Sequence, residues 1–215
     1  MSRIMGFLDW FRRPTPIDNR PALIEFLDSH AAFLTQKGIF DFSRAVSGPS
    51  FSSLVREPTF MAAVDEARWK SYPLTLSCVV EMVDGVLRPH AKGAMPLAEA
   101  LQAAAFEIID RYPVPKPIEP TAWTEARSAL GLRIIHIALH PPKRVKDIPL
   151  QIAPQFYDNL PIHQRLRGSA NEIVTSNLRT NLISMHEEFT GRANVAALVT
   201  ALGVAAGADA ARRGA

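Results

Sequence analysis

The 215-residue sequence holds a single cysteine, Cys78, so no disulfide can close within the chain. Its neighbours Leu76, Val79 and Val80 place the thiol in a core, where burial quietens it, and a lone reduced cysteine suits the cytoplasm. No stretch approaches the roughly 18 uninterrupted apolar residues of a membrane span. Asp9, Trp10, Arg12 and Arg13 stand where a secretory leader would carry its apolar core and cleavage site, so no leader is expected. Net charge is small: 24 basic against 21 acidic residues give +3, spread along the chain, with a pI near 9.2. That excess is too thin to predict a specific nucleic-acid partner.

Catalytic signatures are scarce as well. Neither G-x-x-x-x-G-K-[ST] nor G-x-G-x-x-G occurs, which argues against nucleotide-driven chemistry. The Gly-x-Ser-x-Gly elbow that exposes a strained serine beside backbone oxyanion donors is missing too: Ser169 follows Gly168 but leads into Ala170-Asn171. His136 and His140 are four apart, the spacing at which two imidazoles on one helix can share a metal, but the glutamate of H-E-x-x-H is replaced by Ile137. His163 and His186 come from distant segments. The pattern therefore predicts no metal and no cofactor, with His140 at a helix C-terminus, where its charge offsets the helix dipole.

What the chain does have is proline punctuation and no alternating strand pattern. Pro21, Pro58, Pro73, Pro96, Pro120 and Pro161 sit where a first helical turn tolerates a missing N–H, while Pro89, Pro113 and Pro141 follow the ends of apolar periods. The predicted fold is all-α: one globular multi-helix domain over residues 18–190, preceded by an amphipathic segment at 1–13 and followed by an Ala-rich helix and frayed tail at 191–215.

Asp18 or Asn19 caps a helix whose Leu23, Phe26, Leu27, Ala31 and Leu34 repeat at helical spacing, with Gly38 as its left-handed stop and 39–51 as short turns and loop. Pro58 to Trp69 and Pro73 to Arg88 read as separate helices, the second with Ser77, Glu81, Asp84 and Arg88 along one side. Such a polar line predicts a solvated face, or else the wall of a cleft. Further stripes are Leu97, Leu101, Ala104, Ala105 and Ile108; Trp123, Ala126, Leu130, Ile134 and Ile137; and Val174, Leu178, Leu182, Met185 and Phe189. Residues 113–120 make a stiff Pro-rich connector. Asp147 to Tyr157, with two prolines, reads as two short helices or one kinked one.

Two surfaces are candidates for binding. Lys143, Arg144 and Lys146 follow Pro141-Pro142, with Arg165 and Arg167 after a second proline turn. A Pro-fixed loop presenting these cations could take a small anion or an acidic protein partner. At the N-terminus, Ile4, Phe7, Leu8, Trp10 and Phe11 form an apolar stripe flanked by Arg12 and Arg13, suited to a partner or to peripheral contact with the inner face of a membrane.

The segments Arg68-Trp69-Lys70-Ser71-Tyr72-Pro73, Glu81-Met82-Val83-Asp84-Gly85-Val86-Leu87-Arg88-Pro89 and His140-Pro141-Pro142-Lys143-Arg144-Val145-Lys146-Asp147-Ile148-Pro149 resemble a family of uncharacterised bacterial helical proteins. Some members carry the name esterase, so the resemblance puts a hydrolase among the readings without supplying a catalytic motif. The sequence favours a non-enzymatic cytoplasmic binding or adaptor protein. The alternative is an esterase-like hydrolase whose serine meets His140, His163 or His186 only in three dimensions.

Overall fold

The structure, a computed structural model, describes residues 15–162 and 171–207. The side chain of Asn19 accepts the backbone N–H of Ala22 at 2.9 Å and, with Pro21 in the first turn, opens helix α1 (Arg20–Ser47). The buried stripe from Leu23 to Leu34 runs on through Ile39 and Phe42, so the helix does not stop at Gly38 and residues 39–47 are helix rather than loop. Gly38 serves close approach instead of a turn. A Cβ there would lie 2.7 Å from Cζ of the buried Phe156. The left-handed stop is Gly48, at φ 53°.

After the short α2 (Phe51–Leu54), helix α3 (Pro58–Leu87) joins what the prolines had divided, with Pro73 in its interior. An interior proline removes one backbone bond and costs about 3 kcal/mol. Val64 and Ala67 before it and Tyr72, Leu76, Val79, Val80 and Val83 around and after it are all buried. At roughly 1.5–3 kcal/mol for each large apolar side chain, that packing outweighs the defect.

The remaining helices are α4 (Ala94–Ile109), α5 (Pro120–Ala138), α6 (Ala153–Asp158), α7 (Asn171–Arg192) and α8 (Val195–Ala201), with a 3₁₀ segment at Val145–Gln151. Asp147 to Tyr157 is thus two short helical pieces. The α4 and α7 stripes are buried as the spacing predicts, as are Trp123, Leu130, Ile134 and Ile137 of α5. The protein is an all-α bundle, with no strand among the described residues. Helix α3 lies at its centre, packed against α1, α4, α5 and α7. Two backbone ties fasten the ends: Ile17 donates to the Arg192 carbonyl at 3.0 Å, and Lys92 donates to that of Ala205 at 2.7 Å. No helix among the described residues is long and apolar enough to cross a membrane.

Candidate functional site

The polar line of α3 is not a solvated face. Ser77, Glu81 and Asp84 are buried, and Arg88 nearly so. Arg88 turns its guanidinium to the C-terminal end of α5, donating from Nη1 to the His140 carbonyl at 2.6 Å and from Nη2 to the Ile137 carbonyl at 3.0 Å. These are carbonyls a helix end leaves without partners, and the cation also meets the negative end of the dipole. Nη2 also lies 2.5 Å from Oδ2 of Asp84, a close ion pair, although neither Asp84 oxygen receives an aligned hydrogen bond.

Burial raises the Asp84 carboxyl above its ordinary value; Arg88 draws it part of the way back and Glu81 pushes it up again. A carboxyl whose folded value exceeds its unfolded one adds stability that is complete below the unfolded value and is lost as pH rises through the folded one. Asp84→Asn cannot ionise. Its stability relative to the wild type is therefore expected to improve as pH climbs from the acid end through the raised carboxyl value toward neutrality. Urea midpoints at a series of pH values check this, and a difference that moves the opposite way would show that the carboxylate is favoured by the fold.

Against this wall the last turns of α5 and the loop after it enclose a cleft of about 740 Å³. Lys143 crosses it to Oε1 of Glu81 at 2.6 Å, so the cation that opens the basic loop is spent on a buried carboxylate. His136 and His140 lie on the open side with their Nε2 atoms 3.0 Å apart. One ring donates and the other accepts, so a single proton holds the pair. Among the described residues no group of three His, Cys, Asp or Glu side chains could hold a metal ion, and His186 on α7 does not line the cleft.

Arg133, half-buried on α5, also lines the cleft, where its guanidinium takes no hydrogen bond or ion pair among the described residues. Arg20, Arg88, Arg111, Arg127 and Arg192 each pair with a carboxylate. Leu132 and Ile137 give the cleft an apolar wall. Cys78 lies beneath it, its thiol pushed up to about 12, first by burial, with smaller opposing effects from the charges of Arg133 and Lys143, which lower it, and Glu81, which raises it.

Of the basic residues singled out in the sequence that fall among the described residues, the structure brings only Lys143 into the cleft. Arg144 and Lys146 are exposed on the same loop, and the Lys146 carbonyl accepts from Nε of Arg179 at 2.8 Å. Arg165, Arg167 and His163 lie outside the described residues, as do Ile4, Phe7, Leu8, Trp10, Phe11, Arg12 and Arg13. Sequence reasoning missed Arg133. Its only signal was its position three residues before His136, one helical turn along the same face.

A serine–histidine contact also arises that the sequence did not announce. Ser29 Oγ is 3.3 Å from Nδ1 of His30, whose Nε2 is 3.1 Å from Glu188. The order of groups resembles a catalytic triad, but the hydrogen bonds run otherwise. Nδ1 faces the Phe26 carbonyl at 2.9 Å and must donate to it, while Ser29 donates to the Glu25 carbonyl at 2.6 Å. Ser29 therefore has no base at Nδ1, and the helix spends both groups on its own backbone.

No family model matches the chain, and no curated protein or solved structure is similar to it. Fold and site together define an all-α protein with a polar cleft between a buried charge line and a helix C-terminus. Segments 81–89 and 140–149 border that cleft.

Proposed function

We propose that this is a non-enzymatic cytoplasmic binding protein that holds a small organic anion, a carboxylate or a phosphate monoester, in the cleft between α3 and α5. The observation that carries the reading is Arg133, a half-buried guanidinium lining the cleft without a partner among the described residues. A planar fork of donors held near low-dielectric walls suits a bidentate oxyanion. The imidazoles of His136 and His140 add donors beside it, and Leu132 and Ile137 offer an apolar surface for the ligand's body. Exposed Arg144 and Lys146 raise the local anion concentration at long range. The esterase-like alternative needs a hydroxyl or thiol that gives its proton to a histidine, and Ser29 gives its proton to a carbonyl.

Isothermal titration with phenyl phosphate and with benzoate tests the proposal. A charge-assisted contact contributes about 1.5–3 kcal/mol, so Arg133→Gln is expected to weaken binding roughly tenfold to a hundredfold with unchanged far-UV circular dichroism. Arg144→Gln is expected to change the affinity far less. Binding that survives Arg133→Gln intact, or a wild-type protein that takes neither anion, would overturn the reading.

A further inference from the structure

A second concave site on the molecule has the opposite chemistry. Trp69 and Tyr72 of α3 and Tyr112, just past α4, line a recess of about 220 Å³ with Thr35 of α1. The Trp69 and Tyr72 rings meet at 70° with centroids 6.2 Å apart, Trp69 and Tyr112 at 65° and 5.3 Å, and Tyr72 and Tyr112 at 76° and 5.6 Å. Three rings at steep mutual angles wall a corner, and Trp123 backs Trp69 from outside it at 83°. Such a corner presents several electron-rich faces to a guest, and those faces attract cations.

The polar groups around the corner favour one kind of cation. Both tyrosine hydroxyls donate to the same oxygen, Oδ1 of Asp28, at 2.5 Å from Tyr72 and 2.8 Å from Tyr112. A phenol that donates to a carboxylate is polarised toward its ring, and the carboxylate places a negative charge behind both. The Thr35 hydroxyl is occupied by the Ala31 carbonyl at 2.8 Å and by Thr75 at 2.6 Å. The hydroxyl protons at the recess are committed, and among the described residues no carboxylate or amide side chain lines it. An ammonium bearing N–H groups is strongly hydrated and gives up much of that hydration on entering among rings, whereas a fully alkylated one spreads its charge over methyl groups and gives up less. Arg68 at the rim is exposed and faces Asp65 at 3.6 Å, which offsets its charge.

We propose that the corner formed by Trp69, Tyr72 and Tyr112 binds a small quaternary ammonium ion. The reading is independent of the anion cleft, because the two sites share no lining residue.

Tryptophan fluorescence and one-dimensional NMR titrations of the full chain with choline and with tetramethylammonium test it. The control is the neutral analogue of choline in which carbon replaces nitrogen. Saturable binding of choline at least about tenfold tighter than that of the neutral analogue is expected. Ethanolamine, with its N–H donors, is expected to bind more weakly than choline. Tyr112→Leu, at a half-exposed ring, is expected to abolish binding without unfolding the protein, and Tyr112→Phe to retain most of it. Arg133→Gln should leave it untouched. No saturable response to either cation in the millimolar range, equal affinity for the neutral analogue, or full binding by Tyr112→Leu would each overturn the assignment.

Discussion

Arg88→Ala is expected to lower the unfolding free energy by about 3–5 kcal/mol, the usual consequence of removing one member of a buried ion pair. The loss has two parts. Asp84 keeps a buried charge with no cation beside it, and the carbonyls of Ile137 and His140 lose the donors that close α5. For a chain of this length the fall in Tm should be roughly 6–20 °C, measurable by calorimetry. Arg88→Lys should recover little, since a point-like ammonium cannot reproduce the fork that reaches both carbonyls. The double variant Asp84→Leu with Arg88→Met removes both charges, and it should be clearly more stable than Arg88→Ala. A single variant that melts with the wild type would mean that Arg88 neither caps α5 nor neutralises Asp84.

The contact between Gly38 and Phe156 supports a second large effect. Alanine is the better helix former by about 1 kcal/mol, so propensity alone says that Gly38→Ala should stabilise α1. Packing says the reverse. A methyl group there would lie 2.7 Å from Cζ of a fully buried ring, and overpacking of this kind costs about 1–3 kcal/mol. Phe156→Ala should cost about 3–5 kcal/mol as a cavity. With the ring gone the added methyl has room, so the double variant should be less destabilised than the two single losses summed. Denaturant unfolding of the four proteins checks this. Simple additivity would show that ring and glycine do not share the space assigned to them.

Much of the fold was legible because helix burial writes itself into spacing. The stripes of α4 and α7 are buried residue for residue, and Asn19 caps α1 as its side-chain chemistry suggests. Local rules failed where a distant segment decides. Gly38 looks like a helix stop until Phe156 of α6 is placed on it, and Pro73 looks like a helix start until the burial on both sides is known.

The site was the least legible part for the same reason. An Asp84–Arg88 spacing of four residues reads identically on a wet face and in a core. What buries it is the end of α5, whose His140 carbonyl lies 52 residues further along the chain. The basic loop was visible as a run of charge, but its pairing of Lys143 with Glu81 was not, and that pairing shifts the available cation to Arg133. The aromatic corner draws one ring from beyond α4, so no window of sequence contains it.

The anion cleft rests most directly on one NMR titration of the labelled protein with phenyl phosphate, following the Arg133 guanidinium and the ring nitrogens of His136 and His140. The account predicts that these signals shift together and saturate at one affinity, while the resonances of Trp69 and Tyr112 stay in place. Signals of Arg133 and both histidines that remain fixed through the titration would contradict it.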